Sequence, residues 1–225
     1  MPEYIIDIRN VHKVYNLGVE FELHVIRGID VKVKRGEFIA ILGPSGSGKT
    51  TLLDIMGCLL KPTEGEVWID GVLTNELDDG ELARIRGSTI GFVFQQYNLI
   101  SSQTALENVM LPMRINGASK KEAEKRASYL LKLVGLGERM HHRPSQLSGG
   151  EQQRVAIARS LSNQPKIILG DEPTGNLDTS TGKKILQTLE ELNKEKGYTI
   201  VVVTHDERIK KYADKIINLM DGRII

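Results

Sequence analysis

The sequence has little of several features that would mark it as a membrane, secreted or redox-active protein. Cys58 is the only cysteine, and its place in an apolar stretch indicates a small buried side chain, not a redox group. No apolar run approaches the roughly 20 residues that cross a bilayer. The N-terminus lacks the basic and apolar regions of a signal peptide. We therefore expect a cytosolic protein.

The sequence also lacks an excess of either charge. It has 30 basic and 29 acidic side chains, a net charge of +1, and no block of five or more like charges. This balance argues against a dedicated nucleic-acid binder and predicts no nucleic-acid partner. With 225 residues, 40% apolar and 26% charged, the chain has the composition of an ordinary globular protein with a sizeable core.

One stretch carries a phosphate-binding pattern. The apolar run Phe38–Leu42 predicts a buried strand, and a Gly/Ser-rich turn then leads into a helix near Lys49. The pattern G-x-x-x-x-G-K-[ST] places glycines where the backbone must turn its N–H groups inward, towards a polyphosphate at the helix N-terminus. The predicted nucleotide-binding residues are Gly43, Pro44, Ser45, Gly46, Ser47, Gly48, Lys49, Thr50 and Thr51, with Lys49 on the β/γ-phosphates and the Thr50 hydroxyl on Mg²⁺.

Two acidic residues follow a second buried strand, Ile167–Leu169. A carboxylate at the C-terminal end of a parallel strand lies where such sheets bind ligands, so Asp171 is predicted to hold the Mg²⁺ that Thr50 also touches. Glu172 is then placed to orient or deprotonate the water that attacks the γ-phosphate. His205 follows a third apolar run, Thr199–Val203, and is predicted to join the same site.

The remaining pattern predicts three kinds of region. Residues 3–9, 29–33, 66–70 and 90–94 have strand composition and suggest a small β layer beside the nucleotide core. Capping-box patterns at Thr104–Glu107 and Ser119–Glu122 begin helices, the second with an apolar face. That face comprises Ala123, Ala127, Leu130, Leu131 and Val134. A helix from about Thr181 to Gly197 and a C-terminal hairpin on Asp221-Gly222 complete an α/β pattern with a parallel sheet.

A second anion-binding pattern stands at residues 146–160, Gln-Leu-Ser-Gly-Gly-Glu-Gln-Gln-Arg-Val-Ala-Ile-Ala-Arg-Ser. Ser148, Gly149 and Gly150 offer a hydroxyl and backbone N–H groups at a helix N-terminus. The stretch Leu147–Gln152 resembles the signature sequence of ATP-binding cassette (ABC) ATPases. The resemblance implies that Ser148, Gly149, Gly150 and Glu151 of one copy close over the ATP bound to another copy, in a head-to-tail dimer.

The resemblance extends over essentially the whole chain and implies further roles. Tyr15 matches the aromatic residue that stacks on adenine, and Gln95, more than its neighbour Gln96, matches the glutamine that contacts Mg²⁺ or water. Residues 175–178 resemble the loop that communicates across the dimer, and His205 matches the family's switch histidine. The implied catalytic set is Glu172, His205, Lys49 and Gln95, and the implied metal ligands are Thr50, Gln95 and Asp171.

The resemblance also implies a fold: a P-loop NTPase (RecA-like) parallel-sheet core with an antiparallel β subdomain and an inserted α-helical subdomain. Residues 1–225 would form one ABC ATPase domain. We expect the β subdomain at about 1–36 and 62–94, the helical subdomain at about 97–160, and the nucleotide core at about 37–61 and 161–225.

Within the family, the sequence is most similar to the ATPases of lipoprotein-releasing and macrolide-exporting systems. This similarity rests on Gly91–Leu99, Thr104–Val109, His142–Arg154, Asp171–Asp178 and the extra segment between Tyr15 and Gly28. It implies an ATPase that drives a separate integral membrane protein from the inner face of the membrane, docked through Tyr97 to about Thr104. The alternatives are a soluble ABC-type ATPase acting on DNA or ribosomes, and a regulatory ATP-gated dimer clamp.

Overall fold

A computed structural model describes residues 3–18 and 21–225 and contains two sheets. The larger sheet has six strands in the order β10-β9-β3-β8-β7-β6. Its strands are parallel except for the edge pair β9 and β10. They are β3 Phe38–Leu42, β6 Ile90–Val93, β7 Ile167–Asp171, β8 Thr199–Thr204, β9 Lys215–Met220 and β10 Arg223–Ile224.

The central strands are apolar throughout because both faces of the sheet are covered. Successive residues of β3 point to opposite faces, so Phe38 and Ala40 join one buried cluster and Ile39 and Ile41 join the other. The first cluster packs against the helices α3 Ala105–Ile115, α4 Lys120–Leu133, α5 Gly149–Ser160 and α6 Thr179–Lys194. The second packs against α1 Lys49–Met56, α2 Asp79–Ser88 and the smaller sheet. The parallel core predicted from the apolar runs is confirmed.

The smaller sheet is the predicted β layer and has the strand order β2-β1-β4-β5. Its strands are antiparallel: β1 Tyr4–Tyr15, β2 Leu23–Lys34, β4 Glu64–Ile69 and β5 Val72–Leu73. The first two strands extend well beyond the predicted ranges because their pairing continues through several register shifts, which interrupt the alternation that the sequence displays. Val19 and Glu20, in the extra segment between Tyr15 and Gly28, lie outside the described residues.

The assignment of residues 90–94 to the β layer was wrong. Strand β6 pairs in parallel with β7 at the edge of the core sheet, because α2 carries the chain away from the β layer. Ile90 and Val93 belong to different buried clusters, so this short strand is buried on both faces, as a strand of the parallel core requires. The other subdomain boundaries stay a prediction.

The helix starts follow the capping chemistry predicted for them. Thr104 and Ser119 both form capping boxes, and the apolar face of α4 is buried. Helix α6 begins two residues before the predicted start, because the Asp178 carboxylate accepts hydrogen bonds from the N–H groups of Ser180 and Thr181. Across residues 3–18 and 21–225, no helix combines the length and apolar character needed to span a membrane.

Candidate nucleotide site

The phosphate loop, residues 43–48, joins β3 to α1 at the carboxyl end of the sheet. Gly48 precedes α1 with φ of 98°, a left-handed conformation that favours glycine. Having no side chain, Gly48 provides no capping acceptor, and the first N–H groups of α1 remain available to an anion. The Lys49 ammonium is buried and donates to the carbonyls of Gly43 and Pro44, both at 2.8 Å. Lysine and helix N-terminus therefore place positive charge at one point.

A cleft of about 510 Å³ opens in front of this loop. It brings together residues that the sequence predicted from four separate segments. The predicted residues that line it are Ser45, Gly46, Gly48, Lys49, Thr50, Thr51, Gln95, Asp171, Glu172 and His205. Leu23 and Val25 of β2 line it as well and were missed. Their alternation with polar neighbours shows only a half-buried strand, so no sequence signal indicated that they face a ligand.

Asp171 and Thr50 form the most polar corner of the cleft. The Thr50 hydroxyl lies 3.3 Å from both carboxylate oxygens of Asp171. Burial raises the pKa of Asp171, and the neighbouring Glu172 charge raises it further, against the lowering effects of the Thr50 hydrogen bond and the Lys49 charge. A cation in this corner would relieve that unfavourable burial. A hydroxyl and a carboxylate are hard oxygen ligands of the kind that Mg²⁺ prefers, so the residues present fit this metal.

Glu172 has an unusual backbone conformation, and three groups contact its carboxylate. Its φ of 44° is left-handed, which costs energy for a non-glycine residue and is frequent at functional sites. The Thr204 hydroxyl donates to the Glu172 carboxylate at 2.7 Å and the His205 N–H at 3.1 Å, while His205 Nδ1 lies 2.9 Å from Oε1. Sequence analysis missed Thr204, although its position at the end of β8 placed it beside His205.

The Glu172–His205 pair differs in its exposure to solvent. The Glu172 side chain is 13% exposed and the His205 side chain is 67% exposed. The carboxylate is thus sheltered inside the cleft, whereas the imidazole stands at its mouth. From there the His205 ring can contact a ligand that enters the cleft and still keep its interaction with the Glu172 carboxylate.

Tyr15 lies at the end of β1, opposite Leu23 of β2. Residues directly opposite each other in antiparallel strands have their side chains on the same face of the sheet. Because Leu23 lines the cleft, Tyr15 lies on the cleft side of the β layer. The Lys13 ammonium is 5.2 Å from its ring centroid.

Ser148, Gly149, Gly150 and Glu151 lie at the start of α5 and do not belong to the residues that line the cleft. The Ser148 hydroxyl accepts from the Glu151 N–H at 3.3 Å, and the Ser148 N–H donates to the Glu151 carboxylate at 2.8 Å. A Cβ added to Gly150 would lie 2.3 Å from Thr181 Cγ2, so α5 approaches α6 closely. One chain therefore holds two separate glycine-rich helix starts.

The segment after Gln95 is fixed by a residue that sequence analysis did not select. Tyr97 and Asn98 have consecutive left-handed φ angles of 58° and 49°. The Arg159 guanidinium of α5 donates to both of their carbonyls, at 2.7 Å to that of Tyr97. Asn176 donates to the Gln95 carbonyl at 3.1 Å. The Gln95 segment is thereby tied both to α5 and to the loop after Glu172.

Comparison with known proteins gives consistent matches. The family model described as "ABC transporter" matches residues 26–175. The uncharacterized ABC transporter ATP-binding protein MJ0796 of Methanocaldococcus jannaschii is 55% identical over 224 residues, which are 98% of this chain and 95% of that protein. A dimeric structure of MJ0796 in a post-hydrolysis state, bound to ADP and Pi, has a TM-score of 0.89, with 52% identity and coverage of 97% of this chain and 96% of that one.

Two transport-system proteins are also similar to the chain. The lipoprotein-releasing system ATP-binding protein LolD 1 of Chlorobium chlorochromatii is 47% identical over 225 residues, which are 100% of this chain and 92% of that protein. The macrolide export ATP-binding/permease protein MacB of Wolinella succinogenes is 47% identical over 224 residues, 100% of this chain but only 34% of that protein. These matches confirm the predicted fold class and the predicted subgroup.

Proposed function

This chain belongs to the ABC transporter family of ATP-binding proteins, and from that premise we propose that it binds and hydrolyses ATP to drive a separate membrane protein. The observation that supports this most directly is the cleft in which the phosphate loop, Asp171 and the Glu172–His205 pair meet. It combines an anion-binding loop, a corner suited to a metal ion and a sheltered carboxylate in one place. Those are the parts that hydrolysis of a nucleoside triphosphate requires.

The phosphates would lie on free backbone N–H groups of the loop and of the first turn of α1, with the Lys49 ammonium leaving the two loop carbonyls to bind them. Thr50, Asp171 and Gln95 would hold Mg²⁺ together with phosphate oxygens. The metal would supply charge neutralisation of the phosphates. Tyr15, on the cleft side of the β layer, would stack on the adenine ring.

Glu172 would act as the base that orients the attacking water. Its carboxylate is bound by Thr204 and His205, so the water would meet a base held at a fixed position. The exposed His205 ring would contact the γ-phosphate from the mouth of the cleft. His205 would thus link the phosphate to the base.

The second helix start would complete the site in a partner copy. Gly149 and Gly150 occupy the first two positions of α5, where backbone N–H groups have no carbonyl partner within the helix. We propose that Ser148–Glu151 of one copy approach the phosphates bound by another, which gives a twofold head-to-tail dimer with two sites. The MJ0796 structure is described as dimeric.

The membrane partner would dock on the segment from Tyr97 to about Thr104. This segment follows Gln95 and is fastened to α5 by Arg159, so movement at the nucleotide would reach the docking surface through a short, rigid path. The similarity to LolD and MacB supports lipoprotein release or export as the class of work. The chain would then lie on the cytoplasmic face of the membrane, held there by its partner.

The decisive experiment is Glu172→Gln, which keeps the shape of the side chain but removes the base. Because a general base contributes roughly 10²–10⁴-fold to rate, we expect phosphate release to fall by at least about 100-fold while ATP still binds. The stalled protein should elute as a dimer with ATP and Mg²⁺ in size-exclusion chromatography. Unchanged turnover would refute the role of Glu172, and a wild-type chain that releases no phosphate would favour a regulatory clamp.

A further inference from the structure

Gly222, in the turn between β9 and β10, contacts two other segments through its backbone. Its N–H donates to the Ser47 carbonyl of the phosphate loop at 3.1 Å, and its carbonyl accepts from the Arg27 N–H of β2 at 2.9 Å. Sequence analysis assigned Asp221-Gly222 only as a hairpin turn. The structure places that turn between the phosphate loop and the β layer.

The bond to Ser47 matters because of how an anion-binding loop is built. When successive N–H groups point towards a ligand, the carbonyls between them point away and need their own donors. Lys49 provides a donor for the carbonyls of Gly43 and Pro44, but phosphates compete for the same ammonium. The Gly222 N–H provides the donor for the Ser47 carbonyl, and Gly222 is not among the residues that line the cleft.

Close packing adds to this hydrogen bond. A Cβ on Gly43 would lie 2.2 Å from the Leu219 carbonyl of β9, and one on Gly222 would lie 2.3 Å from the Val25 carbonyl of β2. The hairpin therefore packs against Gly43 and forms a hydrogen bond with Ser47. It restricts outward movement of the loop at these two points.

We propose that Gly222 is a positioning residue for nucleotide binding, which holds the phosphate loop in its anion-binding conformation from outside the cleft. It acts through Ser47, the residue before the left-handed Gly48, and touches no part of the ligand itself. The inference rests on the proposed role of the phosphate loop. It predicts that damage at the hairpin turn weakens nucleotide affinity.

Gly222→Ala is the first test, with Gly197→Ala as its control. Both glycines have left-handed φ angles, 76° and 72°, but a Cβ at Gly197 meets nothing within 4 Å. The two variants therefore share the conformational strain and differ in the displacement of the turn. A titration with a fluorescent ATP analogue should show about tenfold weaker binding for Gly222→Ala, because the hydrogen bond to the Ser47 carbonyl is lost and the turn is displaced. Gly197→Ala should bind like wild type.

A backbone ester keeps the test valid if Gly222→Ala fails to fold. Glycolic acid in place of Gly222 removes the N–H donor and adds no atom, and the same change at Gly197 removes its bond to the Asn193 carbonyl. Both esters should lower the melting temperature, but only the ester at 222 should weaken nucleotide binding, by about threefold or more. If wild type binds nucleotide and the two esters bind it with equal affinity, the positioning role of Gly222 is refuted. A wild-type chain that binds no nucleotide would overturn the proposed function as well.

Discussion

The two glycine-rich helix starts of this chain use the same chemistry to different ends. Helix α1 begins after Gly48, which has no side chain to cap it, so its N–H groups can be satisfied by a bound anion. Helix α5 begins after Ser148, whose hydroxyl and N–H are already engaged by Glu151. The first start therefore leaves its N–H groups open to a ligand. The second is stable by itself and retains only the N–H groups of its first two residues for a partner.

The residues around the two helix starts differ as well. Around the phosphate loop stand Asp171, Glu172 and His205, all facing one cleft. At the α5 start, the Arg139 guanidinium lies 3.5 Å from the Glu151 carboxylate, and Gly149 packs near the Tyr97 hydroxyl. In our proposal, one helix N-terminus binds the phosphates in its own copy and the other approaches the phosphates bound by a partner copy. The difference comes from the elements that the fold brings beside each helix.

The largest effect that would separate the two starts is expected from Ser148→Arg. Burial of an unpaired charge in a closed dimer costs several kcal/mol, so ATP turnover should fall by about 100-fold or more. Nucleotide binding by the monomer should stay near wild type, because Ser148 lies outside the cleft. Ser119→Arg, in the matching capping box of α4, is the control. A Ser148→Arg protein that still dimerises with ATP would refute the shared site.

Lys49→Ala tests the phosphate-loop side of the comparison and should have a smaller effect. Loss of hydrogen bonds to charged phosphate oxygens, worth about 2 kcal/mol, should weaken nucleotide binding by about 30-fold. Lys61→Ala is a suitable control, because Lys61 also donates to a backbone carbonyl, that of Leu77, but outside the cleft. Undiminished affinity of Lys49→Ala in a calorimetric titration would contradict its role as phosphate ligand.

The smallest effect is expected from Ser148→Ala, compared with Ser119→Ala. Both serines cap a helix in a capping box, so each change should lower the free energy of unfolding by about 1 kcal/mol. In chemical denaturation the two variants should look alike. In phosphate release, only Ser148→Ala should be slower, through loss of the hydroxyl from the composite site. Equal turnover of the two variants would show that Ser148 only caps the helix and has no role in the composite site.

Local patterns predicted most of the fold. The apolar runs at Phe38–Leu42 and Thr199–Val203 lie in core strands, and the capping boxes at Thr104 and Ser119 start helices, because these signals depend only on near neighbours in the chain. The strand at Ile90 was assigned to the wrong sheet, since four residues give too little pattern to show burial on both faces. Leu23 and Thr204 were missed because their roles depend on what lies across the cleft.

The sequence by itself determined the reactive groups of this protein: a phosphate loop with Lys49, the acidic pair Asp171 and Glu172, and a second glycine-rich helix start. Covalent spacing along the chain is enough to specify these, because each is a short motif at the end of a strand or helix. Only the tertiary structure decided which groups meet. It brought His205 and Thr204 onto Glu172, set Gly222 behind Ser47, and left Ser148 outside the cleft, since those distances follow from the packing of the two sheets and their helices.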